Sequence, residues 1–407
     1  MGARGSGTGL LLGVLAAVAA LGVGLWLVIR LDTELPARAA TGGTLSVAQA
    51  LAETGAGGFA RAVAPREFSF PADHGPHPAF RTEWWYWTGN LRAAGPGGVP
   101  RRFGFQLTFF RTALASAMVP RGSAWAARDV YLAHLALSDI EGGRFHARDR
   151  SARGALDLAG AVADPFQVWV GDWAAGVHGA AGWPLRLRAG ESDFAIDLAL
   201  SPGKPPVLQG EHGLSRKSAE PGNASYYYSL TRMPLTGTVR LGDRAFSVEG
   251  LAWMDREWST SALGPDQVGW DWFALQLDDG RELMLYRLRQ RDGSVAPESA
   301  GTLVSVDGTT RALGRDSVEV VVMDHWVSPR DGTPYPALWR VRVPSAAIDI
   351  VVRPLLPDQE LDLAVRYWEG AVRVDGTADG RTVGGSGYVE LVGYARAAAG
   401  PGEAVRQ

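Results

Sequence analysis

The residues of this chain best suited to chemistry are two carboxylates spaced two apart beside a tryptophan. In Gly250-Leu251-Ala252-Trp253-Met254-Asp255-Arg256-Glu257-Trp258, a strand would put Trp253, Asp255 and Glu257 on one face and Met254, Arg256 and Trp258 on the other. A carboxyl held against an apolar wall keeps its proton to higher pH. Asp255 is therefore suited to donate a proton, and Glu257 to share or steer it. The competing use is structural: either carboxylate could pair with Arg256, Arg111 or Arg287 and lock the fold. Tyr226 and Tyr228, in Asn223-Ala224-Ser225-Tyr226-Tyr227-Tyr228-Ser229, share a strand face and offer two phenols to a cavity, or serve as strand packing. A third cluster is Asp73-His74-Gly75-Pro76-His77, followed by Glu83-Trp84-Trp85-Tyr86-Trp87. It holds the residue types of a metal site. Gly75, Pro76 and Pro78 make it an irregular loop, however, and closing one end of the fold is the plainer expectation. We expect no metal and no cofactor.

The elements that must position these residues read as strands. Alternation of large apolar residues recurs in Phe103-Gly104-Phe105-Gln106-Leu107-Thr108-Phe109, in Phe194-Ala195-Ile196-Asp197-Leu198-Ala199-Leu200 and in Arg340-Val341-Arg342-Val343, the period of a strand with one buried face. Glu141-Gly142-Gly143, Asp278-Asp279-Gly280, Val306-Asp307-Gly308, Arg330-Asp331-Gly332 and Val374-Asp375-Gly376 punctuate the runs as turns. A long 3.6-residue stripe is missing after the N-terminus, so an all-β class with few helices is expected. The chain also repeats itself. Trp85-Tyr86-Trp87 and Trp270-Asp271-Trp272 each open a strand that leads through a turn to an apolar strand ending in Arg. This predicts two similar antiparallel β-barrels in tandem.

The 407 residues carry 40 basic and 43 acidic side chains, a net charge of −3. That balance argues against a nucleic-acid partner. Zero cysteine excludes disulfides, thiolate metal sites and a cysteine nucleophile. A serine elbow, a phosphate loop and a dinucleotide fingerprint are all missing, and Gly384-Gly385-Ser386-Gly387 is a poor match with no helix after it. Gly9 to Ile29 run without a charge between Arg4 and Arg30, long enough for a signal anchor or a signal peptide. The expected layout is an address in residues 1–40, a linker in 41–65, one barrel in 66–258 and a second in 259–398. The body is expected outside the cytoplasm, in the cell envelope, tethered to the membrane by the N-terminal helix.

Several stretches together resemble a known family. Phe70-Pro71-Ala72-Asp73-His74-Gly75-Pro76-His77, Arg81-Thr82-Glu83-Trp84-Trp85-Tyr86-Trp87-Thr88-Gly89-Asn90-Leu91, Tyr226-Tyr227-Tyr228-Ser229-Leu230-Thr231-Arg232, Trp253-Met254-Asp255-Arg256-Glu257-Trp258 and Trp326-Val327-Ser328-Pro329 are similar to the AttH-like proteins related to carotenoid 1,2-hydratase. The resemblance covers about residues 66–395 and implies two lipocalin-like barrels, often exported, with apolar polyene or terpenoid-like ligands. It also implies roles. The hydratases' alkene-protonating aspartate matches Asp255, with Trp253 in place of their Tyr and Glu257 where an Asn is usual. Tyr226 and Tyr228 stand where those enzymes carry a His and a Trp.

Two functions of different class follow. The first is an envelope protein that binds a lipid or isoprenoid in a barrel cavity. Glu83, Trp85, Trp87, Trp270 and Trp272 are its expected ligand contacts. The alternative is an acid-catalysed hydratase or cyclase in which Asp255 donates the proton, with Glu257, Trp253, Tyr226 and Tyr228 around it. A secreted hydrolase is the second alternative.

Overall fold

The structure is a computed structural model that describes residues 45–46, 57–95, 99–117, 123–179, 182–261 and 263–394. The expected address segment lies outside these residues. Among the described residues no helix is long and apolar enough to cross a membrane, and the only helical elements are short 3-10 turns.

The strands that position the site are β1 (Thr82–Ala94), β2 (Pro100–Ala113), β3 (Asp129–Asp139), β4 (Ala224–Leu241), β5 (Arg244–Ser259), β6 (Gln267–Leu277), β7 (Glu282–Gln290), β8 (Val365–Ala378) and β9 (Arg381–Val392). They belong to two antiparallel sheets. In the 13-stranded N-terminal sheet the order runs β3-β2-β1-β5-β4 and on through Phe194–Leu200. In the 11-stranded C-terminal sheet it runs Ala300–Val304, β7-β6-β9-β8, and on through Ile348–Pro354. The order is the same in both: the first strand pairs with its hairpin partner on one side and with the last strand on the other. The repeat seen in the Trp-x-Trp runs is therefore a repeat of topology.

The two sheets are not equal barrels. In the N-terminal sheet, Arg144–Arg153 at one end comes back against Phe166–Val170 near the other, so the sheet nearly closes. The C-terminal sheet has no counterpart of the Ala159–Ala163 and Phe166–Val170 strands that bring its neighbour round, and no pairing joins Thr310–Gly314 to Glu319–Val327. It stays open.

Alternation placed the cores where period two requires. Phe103, Phe105, Leu107 and Phe109 fill the N-terminal sheet with Phe194, Ile196, Leu198 and Leu200, all at most 1% exposed. Phe273, Leu275, Trp339, Val341 and Val343 do the same in the C-terminal sheet. Gly280 and Gly308 hold φ of 88° and 87° in the expected turns, a conformation that costs only glycine little. One expected turn is strand instead: Val374-Asp375-Gly376 runs through the middle of β8. Gly376 is there for a close backbone approach, since a Cβ would stand 2.3 Å from the Asp349 carbonyl oxygen. The chain reverses later, at Asp379-Gly380.

The break between the sheets falls between Ser259 and Gln267. Within the expected linker, Leu45–Ser46 adds a short parallel strand to β8 of the C-terminal sheet. A third apolar cluster joins the outer faces of the two sheets, with Tyr86, Tyr227 and Trp253 from one and Trp272, Tyr286, Ala371 and Tyr388 from the other.

Candidate active site

On β5 the side chains alternate as the sequence requires. Ala252, Met254 and Trp258 enter the N-terminal core, while Trp253, Asp255 and Glu257 face the C-terminal sheet. A cleft of about 790 Å³, its open mouth included, lies on this side between the sheets. Trp84, Tyr86, Phe110, Tyr227, Asp255 and Glu257 form the N-terminal wall. Trp270, Trp272, Tyr286, Leu288, Tyr367 and Glu390 form the other. Aromatic and aliphatic walls with a few polar groups suit a largely apolar, neutral ligand.

Asp255 is 5% exposed. Trp253 Nε1 and Ser229 Oγ donate to its Oδ1 at 2.7 and 2.6 Å, and the Tyr227 hydroxyl donates to Oδ2. Tyr227 Oη in turn accepts from Trp272 Nε1 of the opposite sheet at 3.1 Å. Among the described residues no cation forms an ion pair with Asp255. Burial pushes its carboxyl up to about 7, against the pull of the three hydrogen bonds, and the charge of Glu257 adds to the rise. A carboxyl poised near neutrality can give a proton at physiological pH and take it back.

Glu257 has a different role. It accepts from Ser225 Oγ and pairs with Lys217 Nζ at 2.9 Å. Burial, the largest effect, works against the Lys217 charge, but Glu257, Tyr286 and Asp255 together hold the ammonium above its ordinary range. Lys217 also sits 5.0 Å from the centre of the Tyr286 ring. With Lys217 and Glu257 neutralising each other, a protonated Asp255 adds no charge of its own to the cleft.

Several residues expected at the site lie elsewhere. Tyr226 and Tyr228 point into the N-terminal core with Trp85 and Trp87, away from the cleft, and Tyr227 takes the place expected of them. Glu83 is fully buried on that core side, bound by Arg111 and Arg256 and by the His77 backbone N–H at 3.0 Å. Burial alone would raise its carboxyl, but the Arg256 charge with His77 and Arg111 holds it well below the usual range. The expected ion pair of Asp255 or Glu257 with Arg256, Arg111 or Arg287 is not formed: Arg111 and Arg256 pair with Glu83, Arg287 lies 3.7 Å from Asp271, and Glu257 pairs with Lys217 instead. Asp73 and His77 complete this network, 3.0 Å apart, with Arg66 2.7 Å from Asp73. His74 bonds Tyr228 Oη at 2.6 Å. Among the described residues no group of three or more such side chains is placed to hold a metal.

Trp270 and Trp272 do line the cleft, but the repeat aligns them with Trp84 and Tyr86, one residue earlier than the Trp85 and Trp87 match. Tyr86 stands opposite Asp255 and Thr108, and Trp272 stands opposite Glu390 and Tyr286. Sequence reasoning missed Lys217, Tyr227, Tyr86 and Glu390. The signal for two of them was cross-strand parity. Tyr227 pairs with Glu257 and Tyr86 with Asp255, so all four share a face.

The matched family spans residues 61–394. This chain belongs to the AttH-like family. The crystal structure assigned as an AttH from Nitrosomonas europaea is 38% identical, with a TM-score of 0.72 over 83% of this chain and 100% of that one. Kievitone hydratase from Nectria haematococca has a TM-score of 0.61 at 14% identity over 82% of this chain and 96% of that one. CghA in complex with Sch210972 has 0.51 at 14% over 86% and 98%. At such identities the last two share the fold alone. No curated protein matches the AttH-like chain.

Proposed function

We propose that this AttH-like protein is an acid catalyst that protonates a carbon–carbon double bond of a neutral, unsaturated, isoprenoid-like ligand held in the inter-sheet cleft. Water then adds to the cation, or an internal nucleophile closes a ring. The observation that carries the reading is Asp255: a buried carboxyl at about 7, with no cationic partner among the described residues, in an aromatic-walled cleft. Its three hydrogen bonds stabilise the carboxylate that proton transfer leaves behind. The rings of Trp84, Tyr86, Trp270 and Trp272 offer π faces to a transient cation. A hydratase among the solved structures of this fold is in keeping with the reading. So is the apolar N-terminal segment with a body that works outside the cytoplasm, in the envelope, where such ligands partition.

This reading places the ligand in the cleft rather than in the expected barrel cavity. The interior of the N-terminal sheet is filled by side chains, and the cleft lies outside it. The test uses the intact chain with a panel of neutral isoprenoid alkenes and prenylated phenols in ¹⁸O-water. Uptake is read by native mass spectrometry and product by its isotope. Turnover that adds labelled water, or isomerises the ligand to a ring, should be lost in Asp255→Asn with uptake retained. Uptake without product in either protein would sink the catalytic reading and leave the cleft as a carrier site.

A further inference from the structure

The internal repeat places a second acid across the cleft from Asp255. Asp255 lies on the last strand of the N-terminal sheet, opposite Tyr86 on the first. Glu390 lies on the last strand of the C-terminal sheet, opposite Trp272 on the first. Each accepts a hydrogen bond from an indole: Trp253 Nε1 to Asp255 at 2.7 Å, Trp270 Nε1 to Glu390 Oε2 at 2.8 Å. Both side chains line the one cleft. The duplicated fold has thus set two carboxyls in one cleft, one from each repeat.

Their surroundings differ in a way that assigns roles. Asp255 has three protein donors, which favour its ionised form as a product. Among the described residues Trp270 is the only donor to Glu390, so lone pairs of Glu390 remain for a molecule in the cleft. Adding water to an alkene needs both kinds of group.

Resting on the reading of the cleft as a proton-donating site, the geometry points to Glu390 as a second catalytic residue: the base that takes a proton from the attacking water while Asp255 supplies one to the alkene. The alkene π pair forms the new C–H bond with the Asp255 proton and leaves a cation on the neighbouring carbon. A lone pair of water forms the C–O bond, and the released proton goes to the Glu390 carboxylate. One water has been added to the ligand, Asp255 ends ionised and Glu390 protonated. Transfer of that proton back to Asp255 through cleft water completes the cycle.

The charged and titratable groups facing Glu390 bear on its ionisation. Glu369 is its cross-strand neighbour on β8. It is fully buried, with Tyr86 Oη donating to its Oε1 at 2.6 Å, and burial first and the charge of Glu390 second keep it protonated well above its ordinary range. Asp255 and Glu257 face Glu390 from β5, and Lys217 is occupied by Glu257. The phenols of Tyr86, Tyr227 and Tyr367 stay neutral, since burial raises each well above the ordinary value. The remaining phenol of the cleft is Tyr286. Burial pushes Glu390 up to about 7 against the pull of Trp270, and the charges of Asp255 and Glu257 push it further. Because the charge of Asp255 raises Glu390, loss of the proton from one should disfavour its loss from the other.

Carboxyl titration by infrared difference spectroscopy on the intact chain tests this without a ligand. Wild type is compared with Asp255→Asn, Glu390→Gln and the double variant. The expected result is two carboxyl bands that titrate near neutrality. In Asp255→Asn the Glu390 band should shift to lower pH, because a like charge has gone, and in the double variant both bands should be lost. A Glu390 band that titrates at the same pH in wild type and Asp255→Asn overturns the pairing and leaves the separate Asp255 assay standing. With an alkene that the wild type turns over, Glu390→Gln should abolish turnover, retain uptake and recover in part as Glu390→Asp. Turnover intact in Glu390→Gln but lost in Asp255→Asn overturns the assignment alone. Turnover intact in both overturns the reading beneath it.

Discussion

Asp255 is a buried acid whose affinity for its proton is set by its surroundings rather than by a partner charge. In Asp255→Asn, loss of the proton donor should cost on the order of 10²–10⁴-fold in turnover while ligand uptake persists. In the wild type, turnover that needs protonated Asp255 should fall as pH rises through about 7. The same group makes a prediction about stability. It titrates at about 7 folded, against an ordinary value of 3.8, so the folded state binds the proton more tightly. The stability it contributes is fully present below 3.8 and is lost as pH rises through about 7. Urea unfolding should show wild type losing roughly 2–3 kcal/mol relative to Asp255→Asn between about pH 5 and pH 8. A pH-independent gap between the two proteins would mean that Asp255 is ionised in the folded state.

At the scale of elements, β1 and β5 each carry two separate functions on their two faces. One face looks into the cleft. The other holds the Glu83, Arg111 and Arg256 network, where Arg111 also reaches Asp129 at 2.6 Å and the Phe80 carbonyl oxygen at 2.7 Å. The Arg256 guanidinium also lies 4.0 Å from the centre of the Trp85 ring. Removing the charge of Glu83 leaves two guanidinium groups without their shared acceptor in a dry interior. Glu83→Gln should therefore destabilise by about 3–5 kcal/mol, read as a fall in the urea midpoint. Because β1 and β5 separate the network from the cleft, the infrared titration of Asp255 should be unchanged in that variant. A shifted Asp255 titration would show that the two faces are coupled through the strands.

On the scale of the whole fold, the two sheets work together because they share polar and apolar contacts. Ser138 Oγ donates to Gln359 at 2.6 Å, Gln276 Nε2 to the Thr231 carbonyl oxygen at 2.7 Å, and His134 bonds Tyr367 Oη at 2.8 Å. Each of these bonds joins one repeat to the other, as do the contacts of Tyr86 and Trp272 in the cleft. Unfolding should be a single transition, with tryptophan fluorescence and far-ultraviolet circular dichroism coinciding. Two separated transitions would show that the sheets are independent. Gly104 marks how closely they approach: a Cβ there would lie 2.5 Å from the Ala371 Cβ and 2.6 Å from Tyr388 Oη. Gly104→Leu should push the sheets apart, cost about 1–3 kcal/mol and weaken ligand uptake, although Gly104 does not line the cleft.

The amino-acid sequence by itself determined the strand character of the chain, its repeat and the shared face of Trp253, Asp255 and Glu257. Those are local properties: alternation with period two fixes which residues of one strand go together. It does not fix which way the face points, and a shift of one residue exchanges the two sides of a strand. That is why Tyr226 and Tyr228, with Trp85 and Trp87, went to the core while Tyr227, Trp84 and Tyr86 came to the cleft. Only tertiary structure decided the rest of the site. Lys217 precedes β4 and reaches Glu257 on the following strand. Glu390 stands on the last strand of the second repeat, and only the docking of the two sheets brings it into the cleft with Asp255. No spacing in the chain encodes that docking, because it depends on which outer faces of the two repeats can bury their aromatic side chains against each other.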